Sequence, residues 1–198
     1  SYSSCNSLVG VFTNKLDLIL VGFFLTPRDA GIYGIVLLFL FVLNTVIGVQ
    51  ATYWAPIFSR FHNSSDLLML KKSYFDSRRY SMITILLATF VCCLMIKPSV
   101  VFLGDGYTDI PKLIIIRCGF QALALILGIP GVLLSMTGNP KVQFGRLVIG
   151  IIVTGVSGAI LIPYLGLIGA AISGGCGVLV SAIIGNICAL KLLRCSVV

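Results

Sequence analysis

A run of 44 residues, Leu147 to Leu190, contains no charged side chain. One helical crossing of a bilayer takes about 20 mainly apolar residues, so this run is too long for one crossing and suits two. Pro163-Tyr164-Leu165-Gly166 divides it near the middle, and Pro and Gly interrupt the backbone hydrogen-bond ladder. A tight hairpin of two spans, about 142–162 and 167–190, is expected. The rest of the chain has the same character. Of its 198 residues 58% are hydrophobic and 10% charged, where a soluble domain carries roughly 25% charged residues. All six acids are Asp and none is Glu, although Glu is a good helix former. A water-soluble globule is therefore excluded. The net charge of +8 does not point to nucleic acid, because the basic residues form islands between apolar runs rather than a continuous wet patch.

Four further runs are long enough to cross, at about 5–25, 30–55, 76–96 and 113–136. Stretches such as Ile35–Leu43 are apolar at nearly every position, whereas barrel strands alternate. The expected fold is thus an all-α integral membrane protein in which residues 1–198 form a single six-helix transmembrane lobe. Short loops rich in Lys and Arg face the cytoplasm. By parity, Arg60, Lys71, Lys72, Arg78, Arg79, Lys141, Arg146, Lys191 and Arg194 share one side, against Arg28, Lys97, Lys112 and Arg117 on the other. That bias puts the C-terminus and the long basic loop in the cytoplasm.

Within that loop, Asn63-Ser64-Ser65-Asp66 forms an N-cap cluster, followed by Leu67, Leu70 and Tyr74 at helical spacing among the basic residues. Two readings stay open: an interfacial amphipathic helix on an anionic leaflet, or ordinary positive-inside topology. The chain opens at Ser1 without Met and without a basic leader and cleavage site, which reads as a piece of a longer polypeptide.

Few residues suit catalysis. His62 is the sole His and has no metal-ligand spacing around it. Asp105 and Asp109 are four apart, but Gly104-Asp105-Gly106-Tyr107 reads as a turn. The seven Cys contain no CxxC pair and lie mostly in apolar runs, where Cys acts as a small hydrophobe. No nucleophile-elbow, Walker or zinc-protease pattern occurs. No enzyme activity, metal or cofactor is expected.

Charges inside spans carry more weight, because an ionisable group in the hydrocarbon core is costly and faces a cavity or a partner. The first span holds Asn14, Lys15 and Asp17. Asp17 lies about thirteen residues into its helix, roughly 18–20 Å deep. At least one of Lys15 and Asp17 faces an aqueous lumen or a partner on another helix, or else pairs with a group in a missing part of the protein. Arg117 lies about 7 Å inside Lys112 and either snorkels to the headgroups or lines a cationic cavity. Arg146 has the same two options on the other side. Gly169, Ser173, Gly177, Ser181, Gly185 and Ala189 recur every four residues, a ridge that lets helix backbones approach closely. Gly128, Pro130 and Gly131 should kink span four, an interruption that in transporters often lies near substrate paths or marks moving parts.

These segments occur in a familiar order. Asp17-Leu-Ile-Leu-Val-Gly22 followed by Ala30-Gly31-Ile32-Tyr33, then Pro56-Ile-Phe58-Ser and Asp66–Leu70, Phe102-Leu-Gly104 with Tyr107, and Leu161-Ile-Pro163-Tyr-Leu-Gly166-Leu-Ile-Gly169-Ala-Ala-Ile172 together resemble polysaccharide and O-antigen flippases. That family belongs to the multidrug/oligosaccharidyl-lipid/polysaccharide exporter superfamily. The resemblance implies the C-terminal lobe of a twelve-helix exporter, with the N-terminal lobe missing. It implies transport of undecaprenyl-diphosphate-linked sugar repeat units across the bacterial inner membrane by alternating access. Cationic cavity residues would receive the diphosphate, a role carried to Lys15 with Asp17. The partners implied are the lipid-linked oligosaccharide, the bilayer, the missing lobe and polysaccharide polymerase machinery. A multidrug or cation antiporter of the same superfamily, a membrane-embedded polysaccharide-assembly enzyme and a nonfunctional half-chain are the alternatives.

Overall fold

The computed structural model describes residues 16–64, 66–103, 110–138 and 140–195, without the side chains of 67, 93, 95–103, 194 and 195. These residues are helical nearly throughout. The helices are α1 (16–24), α2 (Pro27–Asn63), α3 (Leu67–Leu103), α4 (Ile110–Ile126), α5 (Pro130–Met136), α6 (Pro140–Leu165) and α7 (Leu167–Leu193). Among the described residues, α2, α6 and α7 are long and apolar enough to cross a membrane, and α4 with α5 makes a fourth if the bent pair counts as one span. Large apolar side chains such as Phe23, Leu38, Phe41 and Ile83 point outward, as in a membrane protein, where the surroundings are also apolar. The expected first span, 5–25, lies mostly outside the described residues, and 76–96 forms part of α3.

Local chemistry sets the helix boundaries. α2 begins at Pro27, ahead of the expected residue 30, because Thr26 and Asp29 form a capping box around Pro27. The Asp29 amide donates to the Thr26 hydroxyl (3.3 Å) and the Thr26 amide donates to the Asp29 carboxylate (3.2 Å), which satisfies two otherwise orphaned donors. The helix then continues through Pro56 to Asn63, beyond the expected end at 55. Asp66 caps α3 by accepting from the Met69 amide at 3.1 Å. From there α3 runs unbroken to Leu103, so the basic segment is not a separate interfacial helix. Its Leu70 and Tyr74 are fully buried and continue a protein-facing stripe through Ser77, Ser81 and Ile85. Lys71, Lys72 and Arg79 remain exposed.

α2 and α3 are joined by polar and aromatic contacts. Ser81 donates to the Gln50 side-chain carbonyl at 2.8 Å, and the Gln50 amide donates to Thr84. Trp54 stacks on Phe58 at 5.9 Å and also meets Tyr80 at 6.0 Å.

The uncharged run folds as a hairpin, with its break at Gly166 rather than at Pro163. Gly166 has φ 58° and ψ −133°, a conformation that essentially only glycine adopts cheaply, whereas Pro163 stays inside α6. A Cβ on Gly169 would run into the Leu161 carbonyl. Further along, a Cβ on Gly177 would strike Thr154 and the Gly150 carbonyl, while one on Gly150 would meet Ser181 at 3.1 Å. Gly185 is close to Arg146. These contacts step along both helices in opposite directions, so the ridge at Gly169, Ser173, Gly177, Ser181 and Gly185 lies against a matching row on α6. α1 rests on α6 through Leu20, which sits over Gly158.

Two ends follow from the contacts. Thr26 and Gly166 mark one. Asn63, Pro140 and Leu193 mark the other, where Phe58 meets Tyr74 at 6.5 Å. Among the described residues, Arg60, Lys71, Lys72, Arg78, Arg79, Lys141, Arg146 and Lys191 belong to the second end and Arg28, Lys112 and Arg117 to the first.

Candidate functional site: a buried ion pair and a polar groove

Asp17 on α1 and Arg117 on α4 meet inside the bundle about two turns below the Thr26 end. The Arg117 guanidinium donates to Asp17 Oδ2 at 2.6 Å, with side-chain exposures of 9% and 1%. The Tyr33 hydroxyl on α2 lies 3.3 Å from the same oxygen and also 3.3 Å from the Ala170 carbonyl on α7. Asp17 Oδ1 is buried with no hydrogen-bond partner among the described residues. Room for the pair comes from Gly174, where a Cβ would collide with both Asp17 Oδ2 and the Arg117 guanidinium. An ion pair in a low-dielectric interior demands such close, well-aligned contact to offset the desolvation of two charges.

Asp17 thus takes the partner on another helix that the sequence left open, and Arg117, rather than snorkelling, pairs with it while also lining a cavity. Asn14 and Lys15 lie outside the described residues. Tyr33 and Gly174 are additional members that sequence reasoning missed. Two adjacent glycines, Gly174-Gly175, inside an otherwise helical run were the available signal, since each costs about 1 kcal/mol relative to Ala and so implies a tight neighbour. Gly175 is covered by Phe120.

A second polar group gathers at the opposite end, around the break in span four. α4 and α5 are bent by 46°, with Gly128 at φ 92° and Pro130 opening α5. The break leaves carbonyls without helical partners, and α3 supplies donors. Arg78 Nε donates to the Ile126 carbonyl at 2.7 Å. The Tyr74 hydroxyl is 3.3 Å from the Leu127 carbonyl and 3.0 Å from the Asn186 side-chain oxygen on α7. The kink expected from Gly128, Pro130 and Gly131 is therefore held from outside by Tyr74 and Arg78, two side chains of the basic segment.

Arg146 lies next to this break. Its Nε donates to Gln143 Oε1 at 2.6 Å, and its guanidinium lies 3.3 Å from the Ser181 carbonyl and 3.4 Å from the Ser181 hydroxyl. No carboxylate is within salt-bridge distance of it among the described residues. A Cβ on Gly131 would collide with the guanidinium, so this glycine lets α5 lie over it. Arg146 thus turns inward among neutral partners rather than out toward headgroups.

Arg146 lines a cavity of about 580 Å³ with Asn44, Gln121, Ser135, Gln143 and Ser181 among its polar groups. A second cavity, of about 470 Å³, holds Arg117 and shares Asn44, Gln121 and Val178 with the first. Together they form a groove that reaches from the neutralised Arg117 to the unneutralised Arg146. The Gln121 side-chain amide donates to Asn44 at 3.3 Å where the two cavities join. Apart from the two arginines the lining is mainly apolar with a few neutral donors and acceptors, and no carboxylate lines it among the described residues. Such a groove suits an amphipathic ligand with an anionic head. The Asp105/Asp109 pair and the 104–107 turn fall outside the described residues. His62 lies exposed beyond this groove, at the end of α2. Comparison of the chain with family models, with characterised proteins and with solved structures gave no match.

Proposed function

We propose that this chain is one lobe of a bacterial inner-membrane transporter that moves an undecaprenyl-diphosphate-linked sugar repeat unit between leaflets by alternating access. The observation that carries the reading is the groove, in which Arg146 is held by neutral partners and has no counter-charge among the described residues. An inward-facing cation in a mainly apolar cleft is expensive unless it serves a ligand, and a diphosphate offers the charge-assisted hydrogen bonds it lacks. The motif order from Asp17 to Ile172 supports the choice of a lipid-linked sugar as cargo. In this reading the chain crosses six times, α1 and α3 supplying the crossings beyond the three or four helices already apolar enough by themselves. The end rich in Lys and Arg, with the C-terminus, lies in the cytoplasm. The open side of the groove faces the second lobe.

The test is surface display of polysaccharide in cells that depend on this protein. Arg146→Gln and Lys15→Ala should each lower display at unchanged protein level, and Arg146→Lys should keep most of it. Normal display with both neutral variants would overturn the proposal.

A further inference from the structure

The Asp17 site is built so that both of its partners have a second place to go. The Tyr33 hydroxyl is equidistant, at 3.3 Å, from Asp17 Oδ2 and from the Ala170 carbonyl. Arg117 is held by Asp17 on one side and lines the narrower cavity of the groove on the other, next to Gln121. Asp17 Oδ1 is fully buried and accepts no hydrogen bond among the described residues, an uncommon condition for a charged oxygen. It is the atom in this cluster with capacity for one more proton. Among the described residues the groups facing Asp17 are Tyr33 from α2 and Arg117 from α4, and α7 contributes Gly174 and the Ala170 backbone. Lys15 lies outside the described residues.

We infer that Asp17 is a proton-operated latch on Arg117, so that proton uptake adds a second cation to the groove and strengthens its hold on an anionic headgroup. Uptake of a proton from bulk solution at Oδ1 turns the carboxylate into a neutral carboxyl. The charge that fixed Arg117 is then gone, and the Tyr33 hydrogen bond passes wholly to the Ala170 carbonyl. Arg117 turns toward Gln121 and the shared part of the groove, with Arg146 at its far end. Proton and anion binding thereby favour each other, and by linkage the effect is reciprocal. The inference rests on reading the groove as the anion path.

The experiment uses the chain in lipid nanodiscs and farnesyl sulfate as probe, an isoprenoid whose single negative charge is constant between pH 5.5 and 8. Wild-type affinity should rise by roughly tenfold on going from pH 8 to 5.5, about what one charge-assisted contact is worth. Asp17→Asn should bind at the tighter level at both values, and Arg117→Gln at the weaker level at both. In parallel, the infrared spectrum of the ligand-free wild-type chain should gain a protonated-carboxyl band on acidification that Asp17→Asn lacks. This second readout needs no variant to bind and serves if a variant folds poorly. Binding with the same pH dependence in Asp17→Asn as in wild type, or no carboxyl band, overturns the latch and leaves the anion groove standing. No binding by the wild type at either pH overturns the groove reading and the latch with it.

Discussion

Removing Arg117 alone should be far more damaging than removing both members of the buried pair. In Arg117→Gln the Asp17 carboxylate stays buried on the wild-type geometry (1% exposed) and, among the described residues, keeps the shared Tyr33 hydroxyl on Oδ2 and has no partner on Oδ1. Breaking a buried pair in this way costs about 3–5 kcal/mol. At ~2–4 °C per kcal/mol for a chain of this size, that is a loss of about 10 °C in the unfolding midpoint. Asp17→Asn should cost less, because Arg117 borders the groove and can turn to its polar lining. In the double variant no buried charge remains, so the loss should fall to about 1–2 kcal/mol, with a coupling of roughly 2 kcal/mol or more between the sites. The assay is thermal unfolding in mild detergent of wild type, both single variants and the double. Additive losses would refute the direct pairing of α1 with α4 from which the site is built.

Two other substitutions probe the scaffold. Gly177→Leu places a side chain where Thr154 and the Gly150 carbonyl already are. It should separate α6 from α7 and abolish stable extraction in detergent, whereas leucine on the outward face, as in Ile183→Leu, should be neutral in the same assay. Gly166→Ala forces a Cβ onto φ 58°, ψ −133°, and should lower stability by about 1–3 kcal/mol in a denaturation series, while Pro163→Ala should cost less. Equal effects would count against Gly166 as the turning point.

Much of this architecture is legible in the sequence because a bilayer allows few solutions. With nothing in the hydrocarbon to satisfy a backbone amide, apolar runs must be helices, and the uncharged run with a break must be a hairpin. Its turning point was harder to read. Proline is the louder signal, but membrane helices absorb it, and only the unusual backbone at Gly166 shows where the chain reverses. Hydropathy also misplaces helix ends, since it stops at charges that a capping box includes, as Thr26-Pro27-Arg28-Asp29 shows. Asp17 and Arg117 were each recognisable as costly charges, yet their pairing spans 100 positions of sequence. Depth was the unused clue. Asp17 stands seven residues before the end of α1 at residue 24 and Arg117 seven after the start of α4 at Ile110, so opposite charges lie at matching depth from one side. The inward role of Tyr74 and Arg78 was not legible because each bonds a backbone carbonyl at the break, which carries no sequence signature, and Asn186, the other partner of Tyr74, lies 112 positions away.

The central claim is that the groove around Arg146 receives an anionic lipid headgroup. Equilibrium binding to the chain in nanodiscs of a polyprenyl diphosphate sugar, set against the corresponding neutral polyprenyl alcohol, tests it most directly. The account predicts that the diphosphate binds and the alcohol does not compete. It also predicts that Arg146→Gln weakens the diphosphate by roughly tenfold or more, the worth of about 1.4 kcal/mol, with Arg146→Lys in between. Equal binding of charged and neutral lipids, unchanged in Arg146→Gln, would contradict it.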